Sequence, residues 1–271
     1  MEIKKIECLT CKASHPDTLY PSDDQICVYC KADEAERLEQ PQVEEAAPEP
    51  TPEETAQLKA QKELALRALS RKHLLPFVER FNPDYLPGWV HKDICLRLEK
   101  FSQDVNDRKS PRLMLFMPPR HGKSTLASVA FPAWHLGKNP EHEFISCSYS
   151  GSLAMNFSRK VRQQLREPNF KNVFSGVSLD PSSQSVESWN TTKGGGYVAA
   201  GVGGGITGKG AHVLVIDDPV KNREDAESEY NRDAVWDWYT STAYTRLAPG
   251  GGVLVIPVSY THLRAHETTV Y

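Results

Sequence analysis

The sequence predicts an α/β domain built on a mainly parallel sheet, and three observations carry this prediction. Short apolar segments of strand length alternate with longer, more polar segments of helical length. One apolar segment leads directly into a glycine-containing loop, "MPPRHGKST", and another, "VLVIDD", ends in two consecutive carboxylates. Strands separated by helices form parallel sheets, because each connection must cross back over the sheet before the next strand begins.

Composition limits the class of protein. The chain has 271 residues, enough for one large domain or two modest ones. Its 32 Lys and Arg residues nearly balance 35 Asp and Glu residues, so the net charge of −3 gives no overall sign of nucleic-acid affinity. No apolar run approaches the ~20 residues of a membrane span, and the N-terminus lacks an apolar signal core. We therefore expect no membrane association and a reducing environment for the six cysteines.

Four cysteines near the N-terminus have the spacing of a zinc site. They form two C-x2-C pairs, Cys8 with Cys11 and Cys27 with Cys30. Each pair can place two thiolates on one turn, and a short β-hairpin between the pairs would close a tetrahedral site that selects a soft ion such as Zn2+. Residues 1–40 contain too few apolar side chains for a core, so metal would have to stabilise them. This module resembles a zinc ribbon; the alternative is two accidental pairs of surface thiols.

The segment "PQVEEAAPEPTPEET" (41–55) separates this module from the rest of the chain. It has four prolines, five glutamates and almost nothing to bury, which predicts an extended, disordered acidic linker over residues 41–58. Leucines at helical spacings then predict a helix that is interrupted at Pro76. We place the α/β domain at residues 59–256, with strands at 112–117, 143–150, 212–218 and 251–256.

The loop after the first strand is the candidate phosphate site. In the P-loop pattern G-x4-G-K-[ST], Gly122, Lys123 and Ser124 fit, but Met117 stands in the place of the first glycine. Gly122 lets the backbone curl so that its N–H groups point at a phosphate, Lys123 can reach phosphate oxygens, and the Ser124 hydroxyl can ligate Mg2+. The alternative is a basic loop with a helix N-cap at Ser124 or Thr125. The candidate nucleotide-binding residues are Pro119, Arg120, His121, Gly122, Lys123, Ser124 and Thr125.

The strand "VLVIDD" supplies the second half of a nucleotide site. Of its two carboxylates, Asp217 and Asp218, one can hold Mg2+ and the other can orient or deprotonate a water. An acidic turn after a buried strand is the alternative for this motif alone. Because the loop and the acidic strand occur together, in the right order within an α/β pattern, nucleotide hydrolysis is the stronger interpretation.

Four segments together resemble a known family. They are "MPPRHGKST", "SYSGSLAMNFSRKVR", "GGGITGKGAHVLVIDDPVKNREDAES" and "VWDWYTSTAYTRLAPGGGVLVI". Over residues 74–256 the chain is similar to the ATPase domain of the large terminase subunit of tailed bacteriophages. The family tolerates a P-loop without its first glycine, and its members carry an RNase H-like nuclease domain after the ATPase.

The resemblance implies a motor that uses ATP and Mg2+ to drive double-stranded viral DNA into a procapsid. It implies that Lys123 and Ser124 bind phosphate and Mg2+, that Asp217 serves the metal, and that Asp218 stands where many relatives have the catalytic Glu. It further implies a portal and a small terminase subunit as partners, a ring of identical subunits during packaging, and a location in the cytoplasm of the infected bacterial host. Arg120 and Lys209 are candidates for contacting a neighbouring subunit's phosphate, and Trp89 or His91 for contacting adenine.

Two other functions stay open from the sequence alone. One is a helicase-like or remodeller-like nucleic-acid ATPase with a zinc-ribbon adaptor. The other is a zinc-ribbon interaction protein whose α/β domain binds nucleotide as a switch. A basic helix with Arg159, Lys160, Arg162 and Arg166 is either a solvated face or a surface for DNA or another subunit.

The last residues do not fit the family pattern. After residue 256 the family has a short polar coupling motif followed by the nuclease, whereas this chain reads "PVSYTHLRAHETTVY". Residues 257–268 resemble the translation of a transposase adapter used in sequencing libraries. We therefore expect residues 257–271 to be a non-native tail, and we assign no function to its two histidines.

Overall fold

The structure is a computed structural model that describes residues 51–118 and 120–257, together with the backbone of two short strands near the N-terminus. The chain divides into two units, residues 1–58 and residues 59–271. In the first unit, β1 (Lys5–Glu7) pairs antiparallel with β2 (Ser14–Pro16). The cysteines of the predicted zinc module, Pro119 of the loop and the predicted tail from residue 258 lie outside the described residues.

The first described helix, α1 (Pro52–Lys72), begins inside the segment predicted as linker. Thr51 and Glu54 form a reciprocal cap: the Thr51 N–H donates to Glu54 Oε2 (2.8 Å), and the Glu54 N–H donates to Thr51 Oγ1 (3.3 Å). Pro52 stands at the first helical position, where its missing N–H costs nothing. Residues 52–58 are therefore helical, because the Thr-Pro-Glu-Glu sequence that looks like linker is also a helix start.

The break after α1 falls at His73, not at Pro76. His73 is extended, with φ −122° and ψ 138°, and α2 (Leu74–Phe81) starts directly after it. Pro76 lies in the first turn of α2, where a helix tolerates proline because the N–H has no intrahelical partner there. The prediction of an interruption was correct, but its position was wrong by three residues.

The α/β domain continues with α3 (Trp89–Asn106) and the first strand of its sheet, β3 (Arg112–Met114). A π-helical segment (Thr125–Ala130) runs into α4 (Phe131–Lys138), which is followed by β4 (Glu143–Ser148), α5 (Gly151–Arg166) and α6 (Pro168–Val173). Next come β5 (Leu179–Gln184), β6 (Ser188–Thr191), β7 (Gly196–Gly201) and β8 (Ala211–Asp217). The described part ends with α7 (Arg223–Glu227), α8 (Glu229–Trp238), a π turn (Tyr239–Ala243), a 3-10 turn (Tyr244–Arg246) and β9 (Leu247–Ile256).

The seven strands β3 to β9 form one sheet in the order β3-β9-β8-β4-β7-β6-β5. The neighbours from β3 to β7 pair in parallel, and β6 and β5 add an antiparallel hairpin. The predicted α/β class with a mainly parallel sheet is confirmed. The four predicted strands correspond to β3, β4, β8 and β9, of which β3 and β4 end earlier than predicted and β9 begins earlier.

The strands β5, β6 and β7 are not predicted by the sequence pattern. The hairpin strands "LDPSSQ" and "SWNT" are polar and do not alternate clearly, so they lack the usual pattern of a strand. The glycine-rich segment 201–210 is the crossover between β7 and β8, which are parallel strands on either side of β4. Ile206 anchors this crossover in the core and is fully buried.

The sheet is covered on both faces, which explains why β8 has an almost continuous apolar run from Val213 to Ile216. In β8, Val213 and Val215 belong to one core, and Leu214 and Ile216 belong to the other. The first core includes side chains of α2 to α6, and the second includes Ile206 and Trp238. Cys95 and Cys147 are buried free thiols, one in each core.

A cluster of three histidines lies at the amino-terminal edge of the parallel strands. His135 Nδ1 is 2.8 Å from the Ser102 hydroxyl, and His135 Nε2 is 3.1 Å from His142 Nδ1. The His142 ring stacks on His212, with ring centres 4.3 Å apart. Burial lowers the pKa of all three; the pKa of His142 falls to about 4, with His212 as a second cause. The cluster is therefore neutral at neutral pH.

Candidate functional site

The predicted functional residues meet at the carboxyl-terminal edge of the parallel strands. The loop 117–125 follows β3, Asp217 ends β8 and Asp218 comes directly after it. Pro257 follows β9, which lies between β3 and β8 in the sheet. The carboxyl ends of parallel strands lie at one edge of a sheet, which is where α/β proteins bind ligands. The structure thus brings together motifs that are far apart in the sequence.

The candidate loop contains two residues in the left-handed backbone conformation. Arg120 and Gly122 have positive φ angles of 63° and 82°. A left-handed conformation costs little at Gly122 because it has no Cβ. The Gly122 carbonyl accepts a hydrogen bond from the Leu126 N–H (3.0 Å), which starts the following helix, whereas the Gly122 N–H has no partner among the described residues. This N–H is available to an anion.

The burial of Met117 explains why a large apolar residue stands in the place of the first glycine. Its side chain is only 5% exposed and belongs to the main core. The position is therefore used for packing, and the left-handed turns are made later in the loop at Arg120 and Gly122. The remaining predicted loop residues differ in exposure: Arg120, His121 and Thr125 are exposed, and Lys123 and Ser124 are partly buried.

Lys123 points across the sheet edge towards the end of β9. Its Nζ donates a hydrogen bond to the backbone carbonyl of Pro257, over 2.6 Å. The carbonyl oxygen is a neutral acceptor that carries partial negative charge. Lys123 is thus aimed at the region between the loop and the strand ends, where a phosphate bound by the loop would lie.

Asp217 is the most buried acidic group of the site, with 1% exposure. Its Oδ2 accepts a hydrogen bond from the Ser128 hydroxyl (2.5 Å), and its backbone carbonyl accepts one from Ser148. Burial raises the pKa of Asp217, while hydrogen bonds from Ser128 and Ser124 and the charge of Lys123 act in the opposite direction. Ser124 of the loop and Asp217 of β8 are therefore in direct contact, as their predicted common role requires.

Asp218 is held in an unusual backbone conformation. Its φ of 58° is in the left-handed region, which is uncommon for a residue other than glycine. Its N–H donates to the Ile256 carbonyl (2.9 Å), and its carbonyl accepts from the Tyr149 N–H (2.8 Å), so β9 and β4 fix it from both sides. Such strain persists only where the surroundings hold it, and it is concentrated at functional sites.

The Asp218 carboxyl group has unused hydrogen-bonding capacity. Its Oδ1 is buried and has no hydrogen-bond partner among the described residues. Burial, followed by the charge of Asp217, raises the pKa of Asp218 to about 6, and Lys123 acts in the opposite direction. A buried acceptor without a partner is costly in a folded protein, which is expected where a substrate or water completes the site.

Ser128 is a residue of the candidate site that the sequence motifs do not include. It lies in the π-helical segment after the loop and is fully buried against Asp217. Residues 124 and 128 are four apart, a spacing that places two side chains on one face of a helix. That spacing was the available signal, and π-helical turns are frequent at functional sites.

Other candidate residues lie away from this edge. Lys209 is exposed two residues before β8 begins, near the amino-terminal edge, so it is not part of this chain's own loop site. On α5, Arg162 and Arg166 donate hydrogen bonds to Gln184 of the β5–β6 hairpin, whereas Arg159 and Lys160 are exposed. Two of the four predicted basic residues, Arg162 and Arg166, therefore make hydrogen bonds within the domain.

The oxygen ligands of the site fit Mg2+. The Ser124 hydroxyl and the Asp217 carboxylate are hard donors that lie together, and Mg2+ takes few protein ligands, with water and phosphate completing its shell. Among the described residues, no group of three or more His, Cys, Asp or Glu side chains could hold a metal ion without such help. Ser124 and Asp217 are thus suited to hold Mg2+ together with a nucleotide.

Comparison with known proteins gives a family and a similar structure. The profile of the family described as "Terminase large subunit, T4likevirus-type, N-terminal" matches residues 114–256. A solved structure similar to this chain is titled "Crystal structure of the HK97 bacteriophage large terminase", at 17% sequence identity and a TM-score of 0.45. The similarity covers 70% of this chain and 38% of the HK97 chain, so this chain spans well under half of that relative's length. No curated protein matches the chain.

Within the described residues, no helix is long and apolar enough to cross a membrane.

Proposed function

The chain belongs to the T4likevirus-type family of large terminase subunits, and we propose that its α/β domain hydrolyses ATP to drive the packaging of double-stranded viral DNA. One observation carries the proposal: the loop residues Lys123 and Ser124 lie at the same sheet edge as the carboxylates Asp217 and Asp218. This combination of a cation, a hydroxyl and two acidic groups is the set that phosphoryl transfer to water requires.

The loop binds and orients the phosphates. The Gly122 N–H and the amino-terminal end of the following helix provide donors and a favourable dipole for a negatively charged group. Lys123 exchanges the Pro257 carbonyl for a phosphate oxygen, which is a stronger acceptor because it is charged. Both interactions hold the terminal phosphate over the carboxyl ends of the strands.

The two aspartates have different roles, one in binding the metal and the other in activating the water. Ser124 and Asp217 would hold Mg2+, which, when bound, neutralises charge on the phosphate oxygens. Ser128 fixes the Asp217 carboxylate by occupying Oδ2. Asp218 orients the attacking water and accepts its proton. Its Oδ1 is buried without a partner among the described residues, so it can accept a hydrogen bond from the water. Its pKa of about 6 leaves the carboxyl group largely ionised at neutral pH.

The proposed partners follow from the family. They are double-stranded DNA, a portal and a small terminase subunit, with several copies of the protein arranged in a ring in the host cytoplasm. On the described surface, Arg159 and Lys160 of α5 are exposed cations that suit a phosphate backbone. Arg120, exposed in the loop, remains our candidate for a contact with a neighbouring subunit's nucleotide.

We also propose one structural Zn2+, held by Cys8, Cys11, Cys27 and Cys30. The support is the spacing of the cysteines, which lie outside the described residues. Metal analysis of protein purified under reducing conditions should find one zinc per chain. Substitution of Cys8 by Ser should release it, whereas zinc-free wild-type protein would contradict this proposal.

The ATPase proposal is tested by comparing Lys123→Ala with Lys193→Ala, which removes an exposed lysine from the β6–β7 turn. In the presence of Mg2+, loss of the charge-assisted contact should weaken ATP binding by Lys123→Ala about 10- to 100-fold and abolish phosphate release. Lys193→Ala should behave like the wild type. Calorimetric titration and a phosphate-release assay give the two readouts, and equal affinity of Lys123→Ala and wild type would rule out the assignment.

A further inference from the structure

His91 of α3 is bound at both ring nitrogens to the protein backbone. Its Nδ1 lies 2.9 Å from the Gly88 N–H, and its Nε2 lies 3.0 Å from the carbonyl oxygen of His121 in the loop. A backbone N–H can only donate and a carbonyl can only accept. The ring must therefore accept at Nδ1 and donate at Nε2, which is one neutral tautomer of histidine.

This arrangement fixes one peptide group of the loop. The peptide between His121 and Gly122 is planar and trans, so its C=O and its N–H point in opposite directions. Because His91 holds the carbonyl towards α3, the Gly122 N–H must point away from α3. That N–H has no partner among the described residues.

The α3 side of the loop is also closed by packing. A Cβ added at Gly122 would lie 3.7 Å from the Tyr85 hydroxyl and 3.9 Å from His91 Nε2. The Tyr85 ring meets the His91 ring edge-on, with centres 5.6 Å apart, and keeps the histidine in place. A phosphate that accepts a hydrogen bond from Gly122 therefore approaches from the side to which the N–H points, which is the side away from Tyr85 and His91.

We propose that His91 is a positioning residue of the phosphate loop: by holding the His121 carbonyl, it presents the Gly122 N–H to the bound phosphate. This rests on the proposed nucleotide function and replaces the expectation that His91 contacts adenine, because both of its hydrogen-bonding groups are already engaged. His91 acts on the phosphates through the loop and does not touch the base.

The test measures binding of two ligands by the full 271-residue chain: ATP with Mg2+, and inorganic tripolyphosphate, which has no base. His91→Phe keeps the ring and its contact with Tyr85 but removes both hydrogen bonds. His91→Gln keeps a donor that can reach the His121 carbonyl. Leu96→Ala, at a position 62% exposed on the same helix, is the control, and thermal unfolding checks the fold of each variant.

We expect His91→Phe to weaken the binding of ATP and of tripolyphosphate by the same factor, about 3- to 10-fold, which corresponds to the loss of one hydrogen bond. His91→Gln should return both affinities to within about 2-fold of the wild type, and Leu96→Ala should change neither. If His91→Phe does not fold, His91→Asn replaces it, because its shorter side chain can accept from Gly88 but cannot reach His121.

Three results would overturn the inference. A loss of affinity for ATP alone would show that His91 contacts the base. Unchanged affinities of His91→Phe for both ligands would show that the His91 hydrogen bonds have no effect on binding. Equally weak binding by the Gln and Phe variants would show that the hydrogen bond to the His121 carbonyl is not responsible. If the wild type binds neither ligand, the proposed function itself fails. That outcome is distinct from the other three, in which the wild type binds.

Discussion

The Ser128 hydroxyl donates a hydrogen bond of 2.5 Å to Asp217, and neither side chain is more than 1% exposed. The contact joins the helix that follows the phosphate loop to the end of β8. Because Asp217 also contacts Ser124, one carboxylate connects the two halves of the candidate site. The two motifs are therefore linked before any nucleotide binds.

Substitution of Ser128 by Ala should destabilise the domain by about 1–3 kcal/mol, because it leaves a buried carboxylate oxygen without its donor. Ser70→Ala is the matched control: Ser70 is also buried, but its hydroxyl donates to the neutral carbonyl of Leu66 (2.8 Å). That change should cost about 1 kcal/mol or less. Urea unfolding of both variants measures the difference, and equal stabilities would show that the Asp217 contact has no special weight.

Substitution of Asp218 by Asn should separate nucleotide binding from hydrolysis. The amide keeps the size of the side chain but cannot accept a proton from water, so turnover should fall by about 100-fold or more. ATP affinity should stay within about 3-fold, since Asp218 is not assigned to hold the metal. Binding by calorimetry and turnover by phosphate release test this. Loss of binding would instead place Asp218 among the metal ligands.

The histidine cluster predicts a loss of stability in acid. The folded-state pKa values of His135, His142 and His212 lie below the ordinary value of 6.5, with His142 at about 4. Between about pH 6.5 and pH 4 the unfolded chain therefore binds more protons than the folded one. The stabilisation is complete above pH 6.5 and is lost as the pH falls through this window, at up to about 1.4 kcal/mol per pH unit for each histidine.

Urea unfolding of the wild type and of His142→Gln at several pH values tests this prediction. The variant lacks one titrating group, so its stability should depend less steeply on pH between 6.5 and 4. Carboxylates elsewhere contribute equally to both proteins and cancel in the comparison. Identical slopes for the two proteins would exclude a role for His142 in acid destabilisation.

Gly137 of α4 should not tolerate alanine. A Cβ there would lie 2.4 Å from the ring of Phe174, which is itself buried against Phe77 and Phe170 and cannot move away. Alanine favours the helix by up to about 1 kcal/mol, but overpacking a core costs about 1–3 kcal/mol, so we expect net destabilisation. Gly176→Ala is the control, because no atom lies within 4 Å of its added Cβ. Thermal unfolding should show a lower midpoint for Gly137→Ala only.

The sequence by itself determined the fold class and the edge of the sheet at which the candidate site lies. Apolar strands alternating with helices require a parallel sheet, and the carboxyl ends of parallel strands share one edge. A loop after one strand and two aspartates after another must then come close together. Lys123, Ser124, Asp217 and Asp218 could be placed in this way because the loop follows β3 in the chain and the two aspartates stand at the end of β8.

The tertiary structure decided the contacts between residues far apart in the chain. No local pattern shows that His91 reaches the His121 carbonyl, that Pro257 accepts from Lys123, or that the glycine-rich segment crosses β4. Local patterns also do not show the π-helical turn before α4 or the positive φ of Asp218. Local propensity is a property of neighbouring residues, whereas these features depend on packing between elements, which exists only once the sheet and its helices are assembled.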